Sequence, residues 1–241
     1  MVTLFVLALG VLENANSPYR GSAPEWSRKL AFVPEAGRRT SGNRYWLQRF
    51  LETFTVVEGR LPSSYEELMG SLYVPSPEAL VNPYTGKPIK VVETPSYGDL
   101  KWELERSANG GKTESTVWAR LYFDPDGNGQ KLEHYYAVFW SEVLKDKDDQ
   151  VFFSKLKKQA ETLNPLEQRF FWLCRNLDIA ISDATDYILG YVPRSAEPFL
   201  ALDWFFPPSI LRNPWTGQRM KVVSSKNPSP GDFTYGYSYN P

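Results

Sequence analysis

One cysteine and one histidine stand in a chain of 241 residues, and that scarcity removes whole classes of chemistry. Cys174 has no second cysteine to bond with, so an intramolecular disulfide framework is excluded. A closed zinc shell needs four ligands that one His and one Cys do not supply. Cys-His nucleophilic chemistry would have to join Cys174, set in the apolar run Phe170-Phe171-Trp172-Leu173, to His134, set in an alternating strand-like stretch. Cys174 reads instead as a small buried hydrophobe. The chain also lacks a glycine-rich phosphate loop and a serine nucleophile elbow. Excess basic charge is missing: 27 Lys and Arg against 28 Asp and Glu leave a net charge of -1 with no basic stripe, so no nucleic-acid partner is expected. Paired carboxylates for a hydrolase remain open, because acidic residues distant in sequence can meet in space. Spacing singles out no such pair, so no catalytic residue is assigned and the chain is read as not an enzyme.

A long hydrophobic run is lacking as well. Val2 to Leu12 is apolar but spans only eleven positions, short of the roughly 20 that cross a bilayer as a helix. Its length suits a signal-peptide core, with polar Glu13 to Pro18 after it. No Lys or Arg precedes it, however, so a longer leader, the remnant of an anchored helix and a buried core helix stay open. Membrane contact is expected only through this segment, and residues 17 to 43, rich in Pro, Gly, Ser and Arg, read as a linker or irregular arm.

What is present is a globular composition, with 42% hydrophobic and 15% aromatic residues, eight Trp and nineteen Pro, which suits short elements, many turns and cores filled by flat side chains. The chain also matches itself. Gln48-Arg49-Phe50 returns as Gln168-Arg169-Phe170, and Tyr73-Val74-Pro75 as Tyr191-Val192-Pro193. Asn82-Pro83-Tyr84-Thr85-Gly86 returns as Asn213-Pro214-Trp215-Thr216-Gly217, Lys90-Val91-Val92 as Lys221-Val222-Val223, and Pro95-Ser96-Tyr97-Gly98-Asp99 as Pro228-Ser229-Pro230-Gly231-Asp232. The offsets are 120, 118, 131, 131 and 133. The change before the second Asn-Pro motif predicts an insert at Phe199 to Leu211.

Each copy has a physical reading. Trp46, Leu47, Phe50, Leu51 and Phe54 fall on one face of a helix over Tyr45 to Val57, ended by Gly59 and Pro62. Ser64 with Glu67 signals a capping box for a short helix through Leu72. In the second copy a helix carries Phe170, Phe171, Cys174 and Leu177, and Ser182 or Asp183 caps a short helix through Leu189 and Gly190. The Asn-Pro-aromatic-Thr-Gly segments are turns feeding strands at Ile89 to Val92 and Met220 to Val223, with Gly98-Asp99 and Gly231-Asp232 as the next turns. Returning strands follow over Leu100 to Leu104 and Phe233 to Tyr239. The second puts Phe233, Tyr235, Tyr237 and Tyr239 on one face, either core or a stacking platform. Thr116 to Phe123 and Leu132 to Trp140 flank a hairpin turn, residues 143 to 150 are solvated, and Gln150 to Thr162 reads as a helix.

These readings give an α+β fold of two tandem helix-plus-antiparallel-sheet modules. The first covers 44-148 with hairpin 116-141, and the second covers 149-241 with insert 199-211, after the arm 1-43. Asp124, Asp126 and Asn128 match the first half of a calcium loop, but its twelfth position is Tyr135 instead of Glu, so calcium is possible and no other cofactor is expected. The aromatic insert, with Trp204, Phe205 and Phe206, either welds the copies together or forms a partner-contact patch.

The order helix, Gly then Leu-Pro, short helix, proline-rich loop, Asn-Pro-aromatic-x-Gly turn and small strands resembles the globular head of type IV pilin-like proteins and type II secretion pseudopilins. The residues that carry it are Gly59, Leu61-Pro62, Leu68, Asn82-Pro83-Tyr84-Thr85-Gly86 and Gly98-Asp99, then Asn213-Pro214-Trp215-Thr216-Gly217 and Gly231-Asp232. The chain departs from that family in lacking its leader-peptidase site and in carrying two heads. The resemblance implies an extracytoplasmic structural or assembly protein acting through a protein partner or self-assembly at the cell envelope. The alternative is a secreted binding module whose exposed aromatics take carbohydrate or peptide.

Overall fold

The computed structural model describes residues 34–109, 112–140, 147–223 and 229–235. Among the described residues, five α-helices and a three-stranded antiparallel sheet make an α+β fold around one hydrophobic core. Helix α1 (Glu35–Glu58) buries Trp46, Leu47, Phe50, Leu51, Phe54 and Val57 on the face expected from their spacing. Burial stabilises each such side chain by about 1.5–3 kcal/mol. The helix stops at Gly59, whose φ of 68° is open to glycine and whose N–H donates to the Thr55 carbonyl. Its start is ten residues earlier than the apolar period announces. Gly37, Thr40, Gly42 and Asn43 are buried on that first stretch, packing by being small instead of by being apolar. The boundary placed at 43/44 therefore falls inside a helix.

Helix α2 (Tyr65–Gly70) is capped by Ser64, whose hydroxyl accepts from the Glu67 N–H at 3.2 Å. The Glu67 carboxylate accepts from the N–H and hydroxyl of Ser63 and from Arg60, reaching one residue past the Ser64 N–H of the expected box. Beyond the Asn-Pro turn come β1 (Leu100–Asn109), β2 (Lys112–Phe123) and β3 (Glu133–Trp140), paired antiparallel in that order, with Leu100 opposite Leu121 and Leu121 opposite Tyr135. The alternation turns Leu100, Val117, Ala119 and Leu121 into the core, where α1 lies across the sheet. Residues 89–92 and 220–223 are not strands as expected. They form single bridges, Val91 to Leu100 and Val222 to Phe233.

Helices α3 (Lys147–Ala160) and α4 (Pro165–Asp183) follow. Asn164 caps α4 in a full capping box with Glu167. The chain then continues as one π-helical turn, Ala184–Leu189, ending at Gly190 with φ 71°. The separate short helix capped at Ser182 or Asp183 is thus part of one long element. Helix α5 (Glu197–Leu200) comes next.

The backbone geometry corrects the predicted insert. Gly59 and Gly190 both end a long helix with positive φ, and their numbers differ by 131. The bond from Ser71 N–H to Leu68 O recurs from Leu202 to Phe199, and that from Ala79 to Ser76 recurs from Ile210 to Pro207. That from Ile89 to Leu80 recurs from Met220 to Leu211. Every pair is 131 apart, so residues 199–211 add nothing; they stand where 68–80 stand. Within the long helices the offset is 130: Pro34 O accepts from Arg38 and Asn164 O from Gln168, while Thr55 and Thr185 each donate a hydroxyl to the carbonyl four residues back. The extra residue lies where Gly190 N–H reaches Thr185 O, five back, while Gly59 reaches Thr55, four back. A one-residue addition is absorbed as the π turn. The matches at offsets 120 and 118 are coincidences of letters.

The two halves interlock reciprocally. On α1, Arg39 pairs with Asp203 at 2.8 Å, Trp46 Nε1 donates to the Phe205 carbonyl at 2.6 Å, and Tyr45 packs on Phe205 with centroids 4.5 Å apart. On α4, Arg169 donates to the carbonyls of Gly70, Ser71 and Val74, and Trp172 meets Tyr73 edge-on at 5.4 Å. Each long helix is thus seated on the segment that follows the other. Buried Thr53 donates to Asn176 Oδ1 at 2.7 Å where the helices cross.

The tightest point of this interlock is Gly42, where an added Cβ would lie 1.9 Å from the Trp204 carbonyl oxygen, a backbone atom that cannot turn aside. Gly42→Ala should lose about 1–3 kcal/mol in urea melts despite alanine's better helix propensity. Gly70→Ala, with nothing within 4 Å of its Cβ, should lose far less, and equal losses would contradict the close approach. A second test is acid. Hydrogen bonds from Arg60 and Ser63 pull the Glu67 carboxyl down to about 2 from its ordinary 4.5. Its contribution is complete above the unfolded value and lost as pH falls towards 2. Glu67→Gln should flatten the stability profile between about pH 5 and 2, which chemical melts across that range will read.

Candidate functional site

The residues assigned to the turn motifs come together in both halves, through two buried asparagines. Asn82 Oδ1 accepts from the N–H groups of Tyr84 and Thr85 at 2.9 and 3.2 Å, and Asn213 Oδ1 from Trp215 and Thr216 at 2.9 and 3.2 Å. Their Nδ2 groups donate to Tyr97 O at 3.1 Å and Pro230 O at 2.8 Å. Pro83 and Pro214 preset the first torsion of each turn, and Gly86 and Gly217 close it, each with φ 68°. Gly98 and Gly231, each at φ 79°, let the backbone pass against those amides, while the N–H groups of Asp99 and Asp232 close the next turn on Ser96 and Ser229. The ten motif residues shape these turns, and the asparagine amides are consumed by the fold.

Asp124 is buried, with Oδ1 accepting from Asp126 and Gly127 N–H and Oδ2 from Gly129 N–H at 2.6 Å. Asn128 Oδ1 accepts from Gln130 N–H at 3.0 Å, and both Asp126 and Asn128 are exposed. The loop is held by its own amides instead of by a cage of convergent oxygens. Among the described residues no group of three His, Cys, Asp or Glu is placed to hold a metal ion.

Phe205 and Phe206 are 5% and 2% exposed, and Trp204 is half-buried. Phe205 and Phe206 pack against Tyr45 and Trp46, so the aromatic segment is a weld between the halves and not the partner-contact patch. Phe233 and Tyr235 pack against the core, while Tyr237 and Tyr239 lie outside the described residues. Burial and the neighbouring Asp178 push the Cys174 thiol up to about 12, which leaves it protonated and unreactive at neutral pH.

Sequence reasoning passed over the outer face of the sheet, where the pleat turns Lys101, Glu103 and Glu105 of β1, Thr116, Trp118, Arg120 and Tyr122 of β2, and His134 of β3 away from the core. A depression of ≈ 570 Å³ opens between Glu103, Glu105, Trp118 and Arg120. Arg120 donates to Glu103 at 2.6 Å, Lys101 lies 3.1 Å from the same carboxylate, and Trp118 Nε1 donates to Glu105 at 2.8 Å. The hydrogen bonds from Lys101 and Arg120 hold the Glu103 carboxyl below its ordinary range. The indole is therefore fixed in orientation within a rim of charged groups. The signal was the alternation in Thr116 to Phe123, which places Val117, Ala119, Leu121 and Phe123 inward and the polar and aromatic set outward.

A second cluster joins α1 to the end of α4. The Tyr45 hydroxyl donates to Asp183 at 2.6 Å, and burial pushes the Glu52 carboxyl up despite Arg49 and Gln48 beside it. Both acids are engaged by neighbouring side chains, and neither lines the depression.

Comparison of the chain with protein-family models, curated proteins and solved structures finds no match. Among the described residues no helix is long and apolar enough to cross a membrane.

The two glycine positions separate two costs. At Gly86 an added Cβ meets nothing, leaving only the positive-φ penalty of about 1 kcal/mol. At Gly98 the Cβ would also lie 2.1 Å from Asn82 Oδ1 and break the buried amide's bonds. Gly98→Ala and Gly231→Ala should therefore destabilise by about 1–3 kcal/mol more than Gly86→Ala and Gly217→Ala. Thermal melts of the four variants rank them, and a uniform loss would refute this division.

Proposed function

We propose that the protein is a non-enzymatic, extracytoplasmic assembly component of the pilin-head or pseudopilin kind, built as a two-fold repeat whose halves are welded into one body. It works through contact with a protein partner or with further copies. What supports the reading is the order of elements in residues 34–140: a long helix closed by Gly59, a capped short helix, the Asn-Pro-Tyr-Thr-Gly turn, and an antiparallel sheet laid beneath the helix. Fractionation tests the location. Expressed with its native N-terminus in its own cells, the protein should be recovered with the envelope or medium and be degraded by protease added to spheroplasts. Recovery in a protease-shielded cytosolic pool would sink the assignment.

A second reading is carried by the outer sheet face. The depression between Glu103, Glu105, Trp118 and Arg120 sets charged groups that can meet hydroxyls beside an indole held in place, the combination that suits an oligosaccharide. Trp118→Ala, at a half-exposed position, should leave the melting temperature within a few degrees and abolish binding to whichever of cellohexaose, xylohexaose or chitohexaose the parent protein takes up in calorimetry. A parent protein that binds none of the three removes this reading.

A further inference from the structure

The second half follows the first closely up to the point where β1 begins, and then loses its cover. Gly98 and Gly231 share φ 79°. Leu100 N–H donates to Lys90 O at 3.2 Å and Phe233 N–H to Lys221 O at 3.1 Å, and the carbonyls of Leu100 and Phe233 accept from Val92 and Val223 at 3.0 Å each. Even the next side chain of the strand is used alike: Trp102 packs on Tyr65 at 6.0 Å, and Tyr235 on Phe199 at 5.8 Å.

In the first half an antiparallel strand then closes the edge. Gly98 N–H donates to Tyr122 O at 2.7 Å and Asp99 O accepts from Tyr122 N–H at 3.0 Å, so β2 lies alongside and Leu100 is 0% exposed. The Tyr84 hydroxyl accepts from Asp124 N–H at 2.9 Å, which ties the turn to the end of the same strand. In the second half, Gly231 N–H and Asp232 O have no bonding partner among the described residues, although Gly231 is buried. Phe233 is only half-buried, Trp215 in the place of Tyr84 is 38% exposed, and Val222 in the place of Val91 is 36% exposed. An unpaired buried N–H costs about 1–3 kcal/mol, and exposed apolar side chains beside an open strand edge form a template for another strand.

We propose that this face, formed by Trp215, Val222 and the Gly231–Phe233 edge, is a docking site for an extended β-strand supplied by a protein partner and paired as β2 pairs with β1. The first half supplies the template for the occupant: a strand whose inward side chains alternate as Val117, Ala119, Leu121 and Phe123 do, with a carbonyl and an N–H of one residue reaching Gly231 N–H and Asp232 O. This deepens the reading of the chain as an assembly component, since strand addition joins one chain to the next without a catalytic residue. Its test is separate from that reading: a failed titration removes the strand site and leaves the envelope location, decided by fractionation, untouched.

The probe is a fluorescein-labelled synthetic peptide with the sequence of residues 115–124, titrated into the full chain and followed by anisotropy, with amide hydrogen exchange read at Gly231. Saturable binding is expected below 1 mM of peptide, with Gly231 exchanging fast in the free chain and at least tenfold slower in the complex. Val222→Asp should weaken binding at least tenfold while the melting temperature holds, the position being exposed. Trp215→Ser should weaken it as well but also gives up the edge-on contact with Phe170 at 5.0 Å, so it is read beside its own melting temperature. Any of four results overturns the proposal. They are no saturation by 1 mM; equal binding of a scrambled peptide; Gly231 protected in the free monomer, which would mean the chain covers the edge itself; or protection that grows with protein concentration, which would make the occupant a second copy.

Discussion

Everything in this fold leans on the seating of one long helix on the other half's short-helix segment. At Gly42 the two backbones come together without a side chain between them, and Trp46 four residues on spends its indole N–H on the Phe205 carbonyl. A glycine inside a helix costs roughly 0.5–1 kcal/mol against alanine. Here it permits a contact that buries Phe205 and Phe206 against Tyr45 and Trp46, each worth about 1.5–3 kcal/mol, so the burial outweighs the propensity. The same contact made from the other side uses large residues in place of small ones. Trp172 stands on α4 where Gly42 stands on α1, and Tyr73 stands where Trp204 stands. The two contacts share a geometry and divide the volume differently, which keeps packing dense at both.

Because each helix covers the segment after the other, neither half closes a core alone, and one continuous cluster runs through both. Polar groups inside that crossing are mostly paired. Thr53 meets Asn176, Tyr45 meets Asp183, and the Arg169 guanidinium covers three carbonyls at the end of α2. A short helix, even with its N-terminus capped, leaves carbonyls at its other end that must find donors, and six residues have little propensity to hold themselves. The arginine supplied by α4 meets that need from a distant part of the chain, so the short helix and the long one stabilise each other. The asparagines do the same work locally: Asn82 and Asn213, 2% and 3% exposed, replace the side-chain water they lose with bonds to two amides and a carbonyl each.

What the sequence made legible was turn chemistry and apolar period. Ser64 and Glu67, the four turn glycines, the α1 face over residues 45 to 57 and the hairpin flanking 124–129 all declare themselves, because each follows from one residue's torsional or packing preference. The start of α1 was not legible, since a stretch that packs through Gly37, Thr40 and Gly42 carries no apolar period. The insert at 199–211 was misplaced for a different reason. Tyr-Val-Pro occurs at 73, in the turns that follow α2, and at 191, directly after the cap of the other long helix, whereas Gly59 and Gly190 hold the same left-handed cap with few shared letters around them. Conformation, which a glycine at positive φ demands, was the better guide to register than identity. The outer-face depression at Trp118 was unreadable because its rim comes from two strands whose register only the paired structure fixes.

The π turn shows why a register error of one residue does no harm here. An added residue in a regular helix would rotate everything beyond it by about 100°, carrying the exit glycine and the following segment away from their seat. Spread over one wide turn, the addition leaves Gly190 in the same left-handed cap as Gly59 and leaves α5 and the second Asn-Pro turn in the position their counterparts hold. The turn begins directly after Asp183, whose carboxylate is held by Tyr45 of the other long helix. That bond anchors the last regular residue before the backbone widens. The exposed Tyr187 lies on the widened turn itself, where no neighbour requires a regular path. Tolerance of the extra residue is therefore local: the crossing fixes the helix up to Asp183, the glycine fixes the exit, and the backbone between them is free to take the wider hydrogen-bonding pattern.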